Sequence, residues 1–472
     1  MGRYKQVENV EVVDAGEKGQ MIGKKDGWVY LLQNVIPGDV VDVKAKKKKK
    51  SFYEGYPVKF RTYSPYRETP VCEHFGTCGG CKWQNITYQK QLELKEKKVL
   101  DVFQRLGNFS NTIRQPILPS PVSERYRNKM DFSASAQRWL TKEEIDSGEE
   151  FGNEPGLGLQ VQGRFDKVLS INKCHLQPEP SNSIRNAVQE FAIKNNWSFW
   201  DPVQHTGFLR SLVMRNSLDH EFLVTLVVSK YHQKSIEGCL NYLSDKFPEI
   251  KSLYYVVNGK KNDAISDLPH HHYGGEKYLK DKAGHLKFFV HPCAFYQTNG
   301  PHTENLYELV REYAELSGDE YLLDLYCGAG TIGLYLANEC RKITGVEVVP
   351  EAIDLAYVNA AENNISEVEF FAGEAEKVLD PEFMEKNGKP DVVVVDPPRA
   401  GLHKKVVKFL AELQPSRIVY VSCNPATQAR DIELLSELYG IEKMRPVDMF
   451  PHTPHVENVV LLKKQINAGT TG

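Results

Sequence analysis

The chain has no hydrophobic run long enough to cross a membrane. Its apolar runs are strand-sized, such as Val392–Val395, whereas a spanning helix needs about 20 apolar residues. Met1 to Gly16 carries scattered charge and no apolar core, so a signal peptide is not expected. A regular, even-numbered cysteine framework is missing too. The nine cysteines are unevenly spaced, which argues against disulfide scaffolding. A reducing cytoplasm is the expected compartment, and it makes clustered cysteines metal or catalytic candidates. Nor is there an excess of one charge. The net charge of −3 excludes a surface that is basic all over. Positive charge is local instead, as in Lys44-Ala-Lys-Lys-Lys-Lys-Lys50. That run is either a solvated loop or sheet edge, or a phosphate-contacting patch. No internal repeat is visible.

What is present is an ordinary globular composition. With 472 residues, 41% hydrophobic and 26% charged, the chain is long enough for several domains with ample cores. Residues 1–65 contain short β-rich runs at Val10–Asp14, Trp28–Leu32 and Val40–Val43, with a Pro37-Gly38-Asp39 turn. They predict a small OB-like barrel, a fold often used on single-stranded RNA. Residues 66–285 open with a cysteine cluster, then a charged helical stretch from Tyr88 to Leu106. Alternating segments follow at Lys129–Ala134 and Phe222–Val228, and the glycine-rich Gly152–Gly163 reads as a hairpin or loop. An α+β domain with an antiparallel sheet is expected there. Residues 286–472 switch to βα alternation. Strands are expected at Tyr321–Leu325, Lys342–Val346, Val368–Phe371, Val392–Val395 and Ile418–Val421, with helices at Pro350–Asn363 and Thr427–Leu438 between them. That pattern predicts a doubly wound parallel sheet, with Val456–Leu462 added antiparallel at its end. Asn467–Gly472 is expected to be disordered.

The segment Gly328-x-Gly330-x-x-Gly333 follows a strand and opens a helix. Its glycines permit close backbone approach to a ligand, and a helix N-terminus favours anionic groups. Glu347, at the end of the next strand, is positioned for ribose hydroxyls. Alone, this suits NAD as well as S-adenosyl-L-methionine, and a purely structural glycine turn is the plain alternative. Asp324, at the strand–loop junction, suits a sulfonium or amino-acid cation. Asp396-Pro-Pro-Arg399 and Cys423 have no hydride-transfer role. Together they favour S-adenosyl-L-methionine.

Methylating uracil at C5 requires a thiolate on C6 to make C5 nucleophilic, and a base to remove the C5 proton afterwards. Cys423, in Val421-Ser-Cys-Asn-Pro425, and Glu457, in His455-Val-Glu-Asn458, can supply that pair from two strand ends. The alternatives are a small buried hydrophobe for Cys423 and a surface charge for Glu457. Cys327, beside the glycine loop, is the rival nucleophile. His452 and His455 read as loop-ordering residues. Pro397 and Pro398 fix the backbone so that Asp396 can accept from a ring N–H or orient its neighbours.

Cys72-x5-Cys78-x2-Cys81 places three cysteines within ten residues, with Gly79 and Gly80 between two of them. Such a segment can wrap an iron–sulfur cluster. Cys174 is the leading fourth ligand and Cys239 the second. Zinc is the rival, with His74 or His175 as a ligand.

At these residues the chain resembles the RumA/TrmA family of RNA uracil-C5 methyltransferases, over essentially its whole length. The ribosomal branch, which acts on 23S rRNA, is the nearer one. The resemblance implies a multidomain protein: a TRAM-like barrel, a central α+β domain and a Rossmann-like class I methyltransferase domain. It implies Cys423 as nucleophile and Glu457 as general base. It also implies a 4Fe-4S cluster on Cys72, Cys78, Cys81 and Cys174. Phe295-Tyr-Gln-Thr-Asn299 resembles the family's Phe-x-Gln-x-Asn segment, with Gln297 at the methyl donor. Tyr326, Thr331, Glu347, Glu374 and Asp396 fall at its remaining cofactor and substrate positions. Thr331 and Glu374 replace residues commonly Asn in the nearest relatives. Arg125-Tyr-Arg-Asn-Lys129 and Gly207-Phe-Leu-Arg210 also resemble family segments, structural or RNA-facing. The implied partner is RNA, 23S rRNA first and tRNA second, with no membrane and with the protein a monomer. Two readings from other classes remain: a non-catalytic RNA-binding protein, and a nicotinamide-dependent oxidoreductase.

Overall fold

The computed structural model describes residues 4–47, 51–106, 112–152, 154–164 and 166–465, apart from the side chains of Lys47, Glu143 and Pro381. Lys48–Lys50 of the basic run and the expected disordered tail Asn467–Gly472 lie outside the described residues.

The first five strands are β1 (Lys5–Ala15), β2 (Met21–Lys25), β3 (Trp28–Leu32), β4 (Val40–Lys47) and β5 (Phe52–Thr62). They close into a barrel in the order β1-β2-β3-β5-β4. Alternation sets the faces: Val10, Val12, Val41, Val43 and Ala45 fill the interior while Glu11 faces out. Trp83, Ile86 and Leu94 join the same core, so the barrel is sealed by the segment that follows it. The expected turn is pinned by the buried Asp39 carboxylate. It accepts from the Ile36 and Ser64 amides and pairs with Arg67 at 2.6 Å.

A two-residue strand, β6 (Ile113–Arg114), comes next, and it joins the C-terminal sheet rather than the middle one. The middle sheet has seven strands: β7 (Lys129–Ser135), β8 (Gly156–Gln160), β9 (Val168–Ser170), β10 (Leu209–Asn216), β11 (Phe222–Val228), β12 (Ile250–Val257) and β13 (His271–Gly275). It is antiparallel apart from the β11–β12 pair, whose crossover is the helix Gln233–Lys246. The glycine-rich stretch supplies β8, which makes a hairpin with β9. Phe132, Met214 and Leu226 pack with Val188 and Leu240 of two helices on one face.

After the hairpin β14 (Leu279–Ala283) and β15 (Leu286–Val290), the C-terminal sheet is built from β16 (Tyr321–Leu325), β17 (Lys342–Glu347), β18 (Val368–Ala372), β19 (Val392–Val395), β20 (Arg417–Ser422), β21 (Tyr439–Val447) and β22 (Glu457–Lys464). With β6 the order is β18-β17-β16-β19-β20-β22-β21-β6. The first five pair in parallel, and β22 runs antiparallel beside β20. Both faces are buried: Val392 and Val394 point into one core, Val393 and Val395 into the other. That is why β19 reads as an unbroken apolar run, and each such valine contributes roughly 1.5–3 kcal/mol.

Two expectations need correction. The helix after β20 spans Pro425–Glu433 rather than Thr427–Leu438. Asn424 caps it and Pro425 starts it, which moves its origin back to the end of the strand. The last strand does not close the sheet. It lies inside, covered by β21, whose Glu442, Lys443, Arg445 and Pro446 hide its strand character.

Candidate active site

Asp396 and Cys423 follow the carboxyl ends of the parallel strands β19 and β20, where open α/β sheets bind ligands, and Glu457 opens the antiparallel β22 beside them. The turn after β16 is tight. Tyr326 adopts φ 64°, and its amide and that of Cys327 both donate to the Val346 carbonyl. Gly330 has φ 75°, and a Cβ there would meet Phe370 at 3.1 Å, so only glycine fits without a shift. Asp324 is 1% exposed, and its Oδ2 accepts from the Gly333 amide at 2.9 Å. It therefore shapes the glycine loop from beneath. Burial pushes its carboxyl up to about 7, with Asp396 and Glu347 adding to the shift. Glu347 accepts from the Gly328 amide at 3.1 Å and the Val349 amide at 3.0 Å. Thr331 is held from the side, its Oγ1 accepting from the Tyr307 hydroxyl at 2.8 Å. Glu374 sits apart from these contacts, half-exposed and paired with Lys377 at 2.7 Å.

Cys423 and Glu457 come together through strand pairing. Ser422 of β20 faces Asn458 of β22 in antiparallel register, so the next step along the pair sets Cys423 against Glu457. Glu457 is buried, and its Oε2 has no hydrogen-bond partner among the described residues. Burial pushes its carboxyl well above the usual range; Asp396 reinforces this and Arg399 opposes it. Cys423 is half-buried. Burial and the Glu457 and Asp396 carboxyls lift its thiol to about 11, while the Arg399 guanidinium bonds to it and pulls the other way. Asp396 follows β19, accepts from the Gln297 amide at 3.0 Å, and is lifted by burial to about 7.

The two loops are fastened to each other. Asn424 and Thr427 donate to the Arg399 carbonyl, and Arg430 donates to that of Ala400. Cys327, the rival nucleophile, is 6% exposed and packed in the core, where burial raises its thiol well above the usual value. His452 orders its loop as expected: its amide donates to Gln91 and its carbonyl accepts from the Lys82 and Trp83 amides. His455 lines the reactive cleft instead.

That cleft, about 620 Å³, runs from Arg399, Cys423 and Asn424 to the β1–β2 loop of the barrel. One wall is the helix Tyr88–Leu106, through Leu94, Lys97, Lys98, Asp101 and Arg105. Lys18 and Lys82 add further positive charge. No sequence motif had marked these cations; for Lys97 and Arg105, with Asp101 between them, the signal was recurrence at four-residue steps, one face of a helix. Of the basic run, Lys44 sits elsewhere on the barrel, over the Tyr4 ring at 5.9 Å.

The four cysteines Cys72, Cys78, Cys81 and Cys174 line one largely apolar cavity. Each sulfur is met by N–H donors: Cys72 by the His74 and Phe75 amides, Cys78 by Gly80, Cys81 by Gln84 and Cys174 by Leu176 and Gln177. Burial raises all four thiols, and these donors oppose it. Among the described residues no three His, Cys, Asp or Glu side chains are arranged to hold a single metal ion. Four cysteine sulfurs around one cavity are the donor set of an iron–sulfur cluster or of a four-cysteine zinc site. Cys239, the second candidate for the fourth ligand, is instead fully buried on the helix Gln233–Lys246 in the central core. His74 lines the cavity, but its Nε2 lies 3.2 Å from the Asn172 amide that donates to it.

Among the described residues no helix is long and apolar enough to cross a membrane. The family model described as tRNA (Uracil-5-)-methyltransferase matches residues 215–465. A protein of Bacteroides thetaiotaomicron described as an uncharacterized RNA methyltransferase is 44% identical, over 94% of this chain and 99% of its own. One of Porphyromonas gingivalis with the same description is 42% identical over 96% and 99%. Among solved structures, Pyrococcus abyssi tRNA (uracil-54, C5)-methyltransferase in complex with S-adenosyl-L-homocysteine superposes with a TM-score of 0.73 at 29% identity. That match covers 96% of this chain and all of the other. Matched over more than half its length by the model and end to end by its relatives, the chain belongs to the tRNA (Uracil-5-)-methyltransferase family.

Proposed function

We propose that this RNA methyltransferase moves a methyl group from S-adenosyl-L-methionine to C5 of a uridine, through a covalent bond between Cys423 and C6. The observation that carries the reading is the Cys423–Glu457 pair at adjoining strand ends, one thiol beside a buried carboxyl whose Oε2 has no partner among the described residues. The Cys423 thiolate adds to C6, and C5 takes the methyl from the sulfonium, which leaves as a thioether. Glu457 removes the C5 proton, the C6–S bond breaks and the thiolate returns. A carboxyl lifted by burial is, once ionised, a stronger base than an ordinary one. Arg399 aids thiolate formation. Asp396, steadied by Gln297, faces the ring, and the sulfonium side is bounded by the carboxyl groups of Asp324 and Glu347. Gln297, Tyr326, Thr331, Glu347, Glu374, Gly328 and Gly330 form the donor pocket in this reading. Cys72, Cys78, Cys81 and Cys174 hold a 4Fe-4S cluster whose part is structural, bracing the segment that runs into the cleft. The three parts 1–65, 66–285 and 286–472 then serve RNA binding, cluster and RNA binding, and methyl transfer.

The substrate in the leading reading is 23S rRNA, argued from the barrel and the four cysteines. Pyrococcus abyssi tRNA (uracil-54, C5)-methyltransferase, which matches 96% of this chain, supports tRNA uridine, the second reading, as much as those features support the first. Labelled S-adenosyl-L-methionine, offered with unmodified rRNA and tRNA pools, separates them. Label in 23S rRNA supports the first, label in tRNA the second. Label in neither, from protein with its cluster, overturns both.

A further inference from the structure

The segment Arg125–Lys129 touches three places that the sequence keeps far apart. The Arg125 and Arg127 amides donate to the carbonyls of His175 and Leu176, next to Cys174, each at 2.8 Å. Tyr126 is 1% exposed, and its hydroxyl donates to the Pro451 carbonyl at 3.0 Å. Pro451 lies in the loop that runs from β21 into Glu457. Asn128 is 4% exposed; its side-chain amide donates to the Gln297 carbonyl at 2.8 Å and its backbone amide to that of Thr298 at 2.9 Å. The Gln297 side chain in turn donates to Asp396. Two nearby residues thus reach two different loops, the one that carries Gln297 and the one that leads into Glu457.

We propose that Tyr126 and Asn128 are positioning residues with separate duties. Asn128 sets the donor side through Gln297, and Tyr126 sets the base side through the Pro451 loop. The inference rests on the roles proposed above for Gln297 and Glu457. Each bond ends on a backbone carbonyl of a loop, where a small displacement is passed on to the group the loop carries. A misplacement of about 1 Å is enough to cost on the order of a hundredfold in rate. Buried core packing alone, the plain alternative, would affect both sides together.

Tyr126→Phe removes one hydroxyl without changing the ring, and Asn128→Asp replaces the donating amide with a carboxyl of the same shape. Full-length protein of matched iron content is compared for KM toward S-adenosyl-L-methionine, for kcat, for thermal stability and for denaturation-resistant protein–RNA adduct. Asn128→Asp is expected to raise KM for the donor roughly tenfold or more, without accumulating adduct. Tyr126→Phe is expected to leave that KM unchanged, lower kcat and accumulate adduct, because proton removal is delayed. Wild-type behaviour of either variant, or parallel loss of all parameters with thermal stability, overturns the proposal. Failure of the wild type to methylate C5 would overturn the underlying reading instead, an outcome neither variant can produce.

Discussion

The Lys95 ammonium lies 2.5 Å from the Asp448 carboxylate, and both side chains are fully buried. Lys95 belongs to the helix Tyr88–Leu106, while Asp448 opens the loop that ends at Glu457. Lys95 also donates to the Phe450 carbonyl at 2.9 Å, and Lys98 to that of Pro454 at 3.0 Å. The helix thus fixes the path of the base-bearing loop. Removing one partner leaves an uncompensated buried charge, so Lys95→Ala should destabilise the protein by about 3–5 kcal/mol. The double variant Lys95→Met/Asp448→Leu should recover much of that loss. Denaturant unfolding of both checks the claim, and equal losses would contradict it.

The proposed base, Glu457, has its own signature. Glu457→Gln keeps the shape of the side chain and removes its basicity. Methyl transfer can then proceed while proton removal stalls, so a protein–RNA adduct should build up and survive denaturing electrophoresis. Free turnover by this variant would refute the assignment.

Asp324 makes stability depend on pH. Its folded-state carboxyl is pushed up to about 7 from an ordinary 3.8. The folded protein therefore binds this proton more tightly than the unfolded chain does. The stabilising effect is complete below about pH 4 and disappears as pH rises through about 7, a change on the order of 4 kcal/mol at most. Asp324→Asn keeps an oxygen to accept from Gly333 and cannot ionise. Its melting temperature should fall less between pH 5 and pH 8 than that of the wild type. An unchanged pH slope would show that Asp324 does not carry the effect.

The cysteine cavity predicts a metal census. Protein prepared without oxygen should contain iron and sulfide, with a broad visible absorption. Cys174→Ser should lose both, whereas Cys239→Ser should retain them, because Cys239 does not line the cavity. Stoichiometric zinc in their place would refute the cluster.

Much of the scaffold was legible where burial is two-sided or the turn chemistry local. The strands Trp28–Leu32, Phe222–Val228, Tyr321–Leu325 and Val392–Val395 and the helix Tyr88–Leu106 were read to the residue. Each is a run whose period or composition suffices. Tyr439–Val447 was not read, because its exposed positions carry charge and a proline that hide the alternation. The residues proposed as reactive were legible as strand-end motifs, but their supports were not. Arg399 bonds to Cys423, Asn128 to Gln297 and Tyr126 to Pro451 across long stretches of sequence. Such contacts leave no local pattern. Asp324 was legible as a junction carboxylate, yet its bond to Gly333 depends on how the glycine loop folds back over the strand.

The most direct test of the central claim is C5-specific methyl transfer by wild type and Cys423→Ala, measured side by side with labelled S-adenosyl-L-methionine and unmodified RNA. The account predicts 5-methyluridine with the wild type, and neither product nor covalent adduct with the variant. Undiminished 5-methyluridine from Cys423→Ala would contradict it.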